Sequence, residues 1–245
     1  MLPVSRPGDY AGVEQGLAAA PANVEILMAR TRANEQPPRP EDIEPPVAER
    51  LVRPTDPLPT PPSFRRANPQ DAMELARATF LHGARVDMGK LAEQLAVSRA
   101  TVYRWCGSRE QLHERILEQR AVEFTAWARA ETKAEGGERL VDVFRLVSEA
   151  TLHAQPVRRF IEREPALALR ILISEHGAVH RVITQGLCEV AAEAHKPQEM
   201  RSLRKRIDVA VHVTSALQWV TVAIGEEPQA DYLVDIVRTQ LANPG

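Results

Sequence analysis

Apolar residues recur at intervals of three and four along most of the chain from residue 69 onward, which is the spacing of helices with one buried face. The pattern predicts helices at residues 69–82, 138–155, 156–163, 165–195, 198–224 and 229–241, together with a long helix from residue 108 to the glycine pair at 136–137. Because no strand-turn-strand pattern occurs in the sequence, the chain is predicted to be all-α.

Local signals support two of the helix starts. Asn68 is a good N-cap residue, and the proline that follows it suits the first helical position. Ser108 and Gln111 form a capping box, which opens the long helix. Within residues 165–195, Gly177 leaves open whether the helix is continuous or broken.

Residues 207–224 carry apolar positions on two faces of one predicted helix. The alternation of valines at 209, 211 and 213 also fits a strand, but this segment is longer than a usual strand and contains no turn. A helix with two apolar faces needs two packing partners, and we expect one of them to be a second copy of the chain. The residues predicted to form that interface are Val213, Ala216, Val220, Leu233, Ile236 and Val237.

Proline content changes abruptly near Asn68, because 13 of the 19 prolines precede residue 69. Residues 36–62 repeat Pro-Pro and Pro-x-Pro without a sustained apolar stripe, so they cannot bury enough surface to offset their ordering entropy. The segment is predicted to be a flexible tail. Residues 13–33, which precede this segment, fit a short helix.

Composition excludes several classes of protein. The chain has 245 residues, of which 44% are hydrophobic and 26% charged, and this is typical of a globular protein. Its two cysteines, Cys106 and Cys188, cannot form a disulfide framework or a four-thiolate zinc site, so we expect a reducing compartment. Neither a secretory signal nor a membrane-spanning stretch is found, and the predicted location is the cytoplasm. The net charge of −2 gives no overall argument for nucleic-acid binding, which must therefore rest on a local motif.

Residues 88–107 provide such a motif, because they fit the helix-turn-helix template. Ala92 is the small residue where two helices cross, Ala96 lies at the turn, and Ser98 can cap the second helix. The positions predicted to face inward are Leu91, Leu95, Val97, Val102 and Trp105. The residues predicted to contact DNA are Ser98, Arg99, Ala100, Thr101, Tyr103, Arg104 and Arg109.

These residues have distinct expected roles. Arg99 and Arg104 are donors suited to base edges or phosphates, whereas Thr101 and Tyr103 can reach phosphate oxygens. Arg109, at the start of the long helix, is expected to hold a phosphate together with that helix's first amides. Between residues 85 and 115 there are six basic and four acidic residues, so two modules are expected to act together. The alternative is that these residues form a solvated face of an ordinary two-helix corner.

The run from Lys90 to Trp105, followed by residues 108–112, resembles the N-terminal signature of TetR-family transcriptional regulators. This likeness covers about residues 72–117, and residues 160–170 resemble the QsdR-type branch of the same family. The resemblance implies an all-helical homodimer. In such a protein the C-terminal helices bind a small molecule and thereby control the DNA-binding domains.

Two residues depart from the family pattern. Ala96 stands where members often have glycine, so the turn is predicted to be strained or altered. Cys106 stands where a bulky aromatic residue is usual, which predicts a less well filled corner of the DNA-binding domain.

A ligand site is expected between the long helix and the helices near Phe144, His176 and Val213. Large aromatic side chains would form an apolar wall, and histidine and hydroxyl groups would orient the ligand. The residues predicted to line it are Phe124, Trp127, Phe144, His153, His180, His212, Ser215 and Trp219. The alternative for each of them is that it simply fills the core.

Metal binding and catalysis have weak support in the sequence. His176 and His180 have a spacing used in some metal sites, but no third ligand is indicated and Gly177 lies between them. No Gly-rich phosphate loop, nucleophile elbow or His-Glu-x-x-His sequence is found. We therefore expect no metal, no cofactor and no enzymatic activity.

The sequence leaves three hypotheses. The favoured one is a homodimeric repressor that binds a palindromic operator in double-stranded DNA and is released by an apolar small-molecule effector, without membrane contact. The second keeps the DNA-binding domain but assigns the C-terminal helices to a protein partner. A helical hydrolase comes last. The predicted regions are a tail at 1–68, a DNA-binding domain at 69–115, and a ligand-binding and dimerisation domain at 116–245.

Overall fold

The computed structural model describes residues 66–242, and every regular element within this range is a helix. The helices are α1 (Pro69–Leu81), α2 (Met88–Gln94), α3 (Arg99–Cys106), α4 (Arg109–Glu131), α5 (Gly136–Leu152), α6 (Gln155–Arg163), α7 (Pro165–Leu172), α8 (Ala178–Ala194), α9 (Pro197–Ala223) and α10 (Ala230–Ala242). The all-α prediction is confirmed. The predicted helix at residues 13–33, and the predicted tail up to residue 65, lie outside the described residues.

Side-chain caps begin the three N-terminal helices. Asn68 accepts hydrogen bonds from two backbone N–H groups of α1, while Asp71 accepts one from the Asn68 N–H. Asp87 caps α2 and Ser98 caps α3. Because α2 and α3 have only seven and eight residues, they depend on such caps and on tertiary packing to stay helical.

Helices α1 to α3, with the first turns of α4, form a unit that we call the head. Its core holds the predicted inward residues Leu91, Leu95 and Val102 in buried positions, and Val97 and Trp105 half-buried. In the turn between α2 and α3, Ala96 has a φ of 53°, which lies in the left-handed region. This conformation is strained for a residue with a Cβ, as the sequence predicts for this turn.

Helix α4 packs against α5, α7 and α8, as well as against α1 and α3 of the head. One buried cluster runs from the head into α6, α7 and the end of α9, and a second joins α5, α8, the first part of α9 and α10. The 23 residues of α4 border both clusters. This long helix therefore connects the head physically to the C-terminal helices.

The helix boundaries differ from the predictions at two places. The glycine pair at 136–137 begins α5 instead of ending the long helix, which stops at Glu131. The reason is a local tie, since the hydroxyl of buried Thr132 donates to Asp142 over 2.6 Å and starts the connection to α5 early. The predicted helix at 165–195 is broken, because α7 ends at Leu172 and Gly177 caps α8.

Among the helices between residues 66 and 242, none is both long and apolar enough to cross a membrane.

Candidate nucleic-acid interface and ligand cavity

Helix α3 presents a short polar surface to solvent. The Ser98 hydroxyl accepts from the Thr101 N–H over 3.1 Å and lies 2.9 Å from the Thr101 hydroxyl, so these two side chains define the start of the helix. Val102 and Cys106 are buried and anchor the opposite face. The side chains of this short helix therefore divide cleanly into an anchored face and a solvent face.

The solvent face of α3 carries most of the residues predicted to contact DNA. Arg99, Ala100, Tyr103 and Arg104 are exposed, and half of the Tyr103 surface is open to solvent. The Arg99 guanidinium lies against the start of α2, where a Cβ added to Gly89 would come within 2.8 Å of it. A helix of this kind, with its N-terminus and basic side chains outward, has the form that enters a major groove.

A cavity lies among α4, α5, α6, α7, α8 and α9. Its volume is about 40 Å³, room for little more than a few water molecules, so an organic ligand must widen it to enter. The residues that line it are mainly apolar: Leu117, Arg120, Ala121, Phe124, Phe144, Val147, Ser148, Thr151, Val157, Leu172, Val179, Ile183, Val211, Thr214, Ser215, Gln218 and Trp219.

The sequence of the C-terminal helices gives the clearest comparison with known proteins. Residues 135–242 match the family model of the tetracyclin repressor-like C-terminal domain. Helices α5 to α10 are therefore a domain of the tetracyclin repressor-like C-terminal type. No curated protein is similar enough in sequence to count as a match.

Two solved structures share the architecture. The TetR-family transcriptional repressor QsdR of R. erythropolis has a TM-score of 0.63 and 21% identity, and the alignment covers 71% of this chain and 93% of QsdR. AlkX, a TetR-family repressor from Dietzia sp. strain DQ12-45-1b implicated in biodegradation of n-alkanes, has a TM-score of 0.47 and 18% identity, with 72% of this chain and 95% of AlkX covered. At 21% identity, the likeness to QsdR establishes a common fold.

The wall of this cavity contains half of the residues predicted for a ligand site. Phe124, Phe144, Ser215 and Trp219 all line it. The first two are buried on α4 and α5, and the other two lie one turn apart on α9. The apolar part of the predicted site is therefore assembled in one place.

The other four predicted residues do not line this cavity. His153 is exposed at the end of α5, where its Nδ1 bonds the Glu149 carbonyl. His180 turns to Asp208, with 2.8 Å between its Nε2 and Oδ1, and His212 packs edge-on against it. Trp127 lies further along α4, half-buried between the two core clusters.

Arg109 was expected to hold a phosphate, and the structure gives its guanidinium other partners. Its Nε donates to the Val86 carbonyl over 3.1 Å, and its Nη2 pairs with Glu164 at the start of α7. Glu164 also lies 3.5 Å from Arg85. These contacts join the head to α6 and α7, so Arg109 has a structural role, and its predicted phosphate contact stays a prediction.

Aromatic rings complete this connection. His113 of α4 stacks on Phe160 of α6 with 4.7 Å between ring centroids, and Phe80 of α1 meets Phe160 edge-on at 5.7 Å. The His113 Nδ1 donates to the Arg109 carbonyl over 2.7 Å, and burial lowers the pKa of His113, so the ring is held neutral. We call this set of contacts the junction: Phe80, Arg109, His113, Phe160 and Glu164.

Arg120 is a buried cavity residue that the sequence did not predict. It is 5% exposed and lines the cavity, with its guanidinium carbon 4.5 Å from the centre of the Phe124 ring. Burial lowers the pKa of Arg120, and the adjacent Glu123 carboxylate opposes that effect. One signal in the sequence could have identified it. Arg120 is a charged residue on the apolar stripe of α4, between Leu117 and Phe124, where a buried apolar residue is expected.

His176 and His180, whose spacing suggested a metal site, do not converge. His176 is exposed before α8 begins, whereas His180 is buried and paired with Asp208. Within residues 66–242, no three His, Cys, Asp or Glu side chains come together in an arrangement that would hold a metal ion.

Proposed function

We propose that the chain is a dimeric repressor that binds a palindromic operator through α3 and is released when an effector with an apolar body enters the cavity. The observation that carries this proposal is α4 itself. Its first turns supply Leu112 and Ile116 to the core of the head, and its middle supplies Leu117, Arg120 and Phe124 to the cavity wall. We assign residues 69–115 to DNA binding and 116–245 to effector binding and dimerisation.

The dimer is proposed to form through α9 and α10. One face of α9 and its C-cap carries a stripe of apolar side chains that the other described residues leave exposed: Val209, Val213, Leu217, Val220 and Ile224. Burying such a stripe against the same stripe of a second copy gives the two-fold arrangement that a palindromic operator requires. Tyr232 of α10, also exposed, extends the surface.

Two of the predicted interface residues need correction. Leu233 and Val237 are 2% and 3% exposed because they pack inside their own chain against α5 and α9. Val213 and Val220 are exposed, as the predicted interface needs, while Ala216 and Ile236 are half-buried. The proposed interface therefore relies more on α9 than the sequence suggested.

Release requires the effector to favour one arrangement of the heads, because a ligand that binds both arrangements equally shifts nothing. The cavity has α4 as one wall, so an effector that widens it changes the position of the helix that carries the head. A largely apolar cavity between helices suits a small molecule better than a protein partner, which would need an extended surface.

The DNA part of the proposal is tested by selecting bound fragments from genomic DNA and measuring affinity by fluorescence anisotropy. Arg99→Ala and Arg104→Ala should each cost about 1–3 kcal/mol if the side chain reads a base edge, and Tyr103→Phe should weaken all sequences more evenly. Arg201→Ala, an exposed arginine on α9, is the control. Unchanged affinity in all three head variants would refute the assignment.

The effector part is tested with Ser215→Trp, which places a large ring in the cavity. We expect effector release to be lost while operator affinity and the dimer, measured by sedimentation, stay as in the wild type. Ser202→Trp, at an exposed position of the same helix, is the matched control and should still respond. A normal dose response in Ser215→Trp would place the effector site elsewhere.

A further inference from the structure

The cavity wall contains a single charged side chain among the described residues, Arg120. Its Nη1 pairs with Glu123, but its Nη2 is buried and has no hydrogen-bond partner. Buried guanidinium groups normally have their N–H donors satisfied, since an unpaired donor in an apolar setting is costly. A donor of this kind at a cavity wall is suited to receive an oxygen atom from a ligand.

The charge around Arg120 is incompletely balanced within the protein. Glu123 also accepts from the Arg77 guanidinium over 2.6 Å, so one carboxylate serves two arginines. No other acidic side chain lines the cavity in the described part of the chain. The cavity therefore favours an anionic group over a neutral one at Arg120.

Three polar side chains of the wall, Gln218, Thr151 and Thr214, are engaged within the protein. The Gln218 amide donates to the Thr151 hydroxyl over 3.1 Å, and the Thr214 hydroxyl donates to the Ala210 carbonyl of its own helix over 2.6 Å. Much of the remaining wall is aliphatic or aromatic. A ligand that fits this pattern has one charged end and an otherwise apolar body.

We infer that the effector is an apolar monocarboxylate whose carboxylate binds the Nη2 of Arg120 and whose apolar part lies along Phe124, Phe144 and Trp219. This inference rests on the proposed effector site. A carboxylate satisfies the unpaired donor and balances the second positive charge in one contact, whereas an ester or alcohol with the same body satisfies only the donor.

The test uses calorimetry on the full chain without DNA, so that it does not depend on operator binding. Sodium octanoate, methyl octanoate and 1-octanol are the probes. We expect octanoate to bind at least about tenfold more tightly than either neutral probe, which is the ratio of a single charge-assisted contact. Arg120→Met should abolish this preference, and Arg120→Lys should keep part of it.

Arg115→Met, an exposed arginine on the same helix, is the matched control and should leave the preference intact. Arg120→Met is expected to fold, because Glu123 keeps its pair with Arg77, and circular dichroism checks this. Equal binding of the acid and its ester, an unchanged preference in Arg120→Met, or no octanoate binding up to millimolar concentration would each overturn the inference. Octanoate binding at Arg120 in a chain that binds no operator would instead refute the repressor function alone.

Discussion

The junction and the cavity are two contacts of the same helix, α4, and they are built in opposite ways. At the junction, His113 is stacked, hydrogen-bonded and neutral, and Glu164 has two arginines within ion-pair distance. At the cavity, Arg120 keeps one buried donor without a partner. The first region satisfies its polar groups internally, and the second leaves one for a ligand.

This difference suggests a division of labour along α4. The polar groups of the junction already have partners, so a rearrangement there gains no new hydrogen bonds. We therefore expect the junction to hold the head in a fixed position against α6 and α7. A buried charged group with an unpaired donor is stabilised when a ligand supplies the missing acceptor. We therefore expect the cavity to rearrange when a ligand binds. Movement of α4 about the junction would then change the spacing of the two heads in a dimer.

The largest expected effect comes from removing the central ring of the junction. Phe160→Ala should lower the free energy of unfolding by about 3–5 kcal/mol, because it removes a buried ring that packs on both Phe80 and His113. Arg120→Met, at the other region, should change it by less than about 1 kcal/mol, since an apolar replacement of a buried ion is often nearly neutral. Urea denaturation measures both. Equal losses would remove the contrast between the regions.

The junction should also lose stability on acidification. The folded-state pKa of His113 is lowered by burial, so below its ordinary pKa the unfolded chain takes up a proton that the folded chain resists. Stability from this residue is complete above pH 6.5 and falls below it, with a slope of at most about 1.4 kcal/mol per pH unit. The unfolding free energy between pH 8 and pH 5 reports it.

His113→Phe keeps an aromatic ring beside Phe160 and should flatten this part of the pH profile. His176→Gln, at an exposed histidine, is the control and should leave the slope unchanged. An equal slope in wild type and His113→Phe would show that the junction does not carry the pH dependence.

A smaller change in stability is expected from relieving the backbone strain at Ala96 in the head, which lies outside the junction. Ala96→Gly should raise the free energy of unfolding by about 1 kcal/mol, because glycine adopts φ 53° without the Cβ clash and the exposed Ala96 side chain has no packing to lose. Ala126→Gly, exposed within α4, should lower stability by a similar amount. A loss of stability in Ala96→Gly would mean that the strain is not relieved by glycine.

Local rules predicted the head better than the cavity. The spacing of Ala92, Ala96 and Ser98 sets the helix-turn-helix almost alone, because the turn and caps involve residues close in sequence. The cavity depends on where six helices cross, which periodicity does not give. Phe124 and Phe144 lie on apolar stripes and line the cavity, whereas the predicted histidines do not.

Arg109 and Arg120 also show that sequence patterns do not reveal contacts between residues far apart in the chain. Both are arginines on α4, and the sequence favoured the one beside the recognition helix as the functional one. Glu164, 55 residues further along the chain, occupies Arg109, and the fold buries Arg120 at the cavity. Partners that far apart in sequence are fixed by tertiary packing, so no local pattern distinguishes these two arginines.

The smallest expected effect tests whether the cavity communicates with the head through Glu123. Arg77 lies on α1 and shares the Glu123 carboxylate with Arg120. A ligand that binds Arg120 therefore changes how strongly Glu123 pairs with each arginine. Arg77→Gln should leave octanoate affinity within about twofold and raise the octanoate concentration for half-release of DNA about threefold, a coupling change of about 0.6 kcal/mol. Arg129→Gln, which breaks ion pairs between α4 and α8 only, should change neither quantity. If Arg77→Gln releases DNA at the wild-type octanoate concentration, the signal passes through the position of α4 and not through this shared carboxylate.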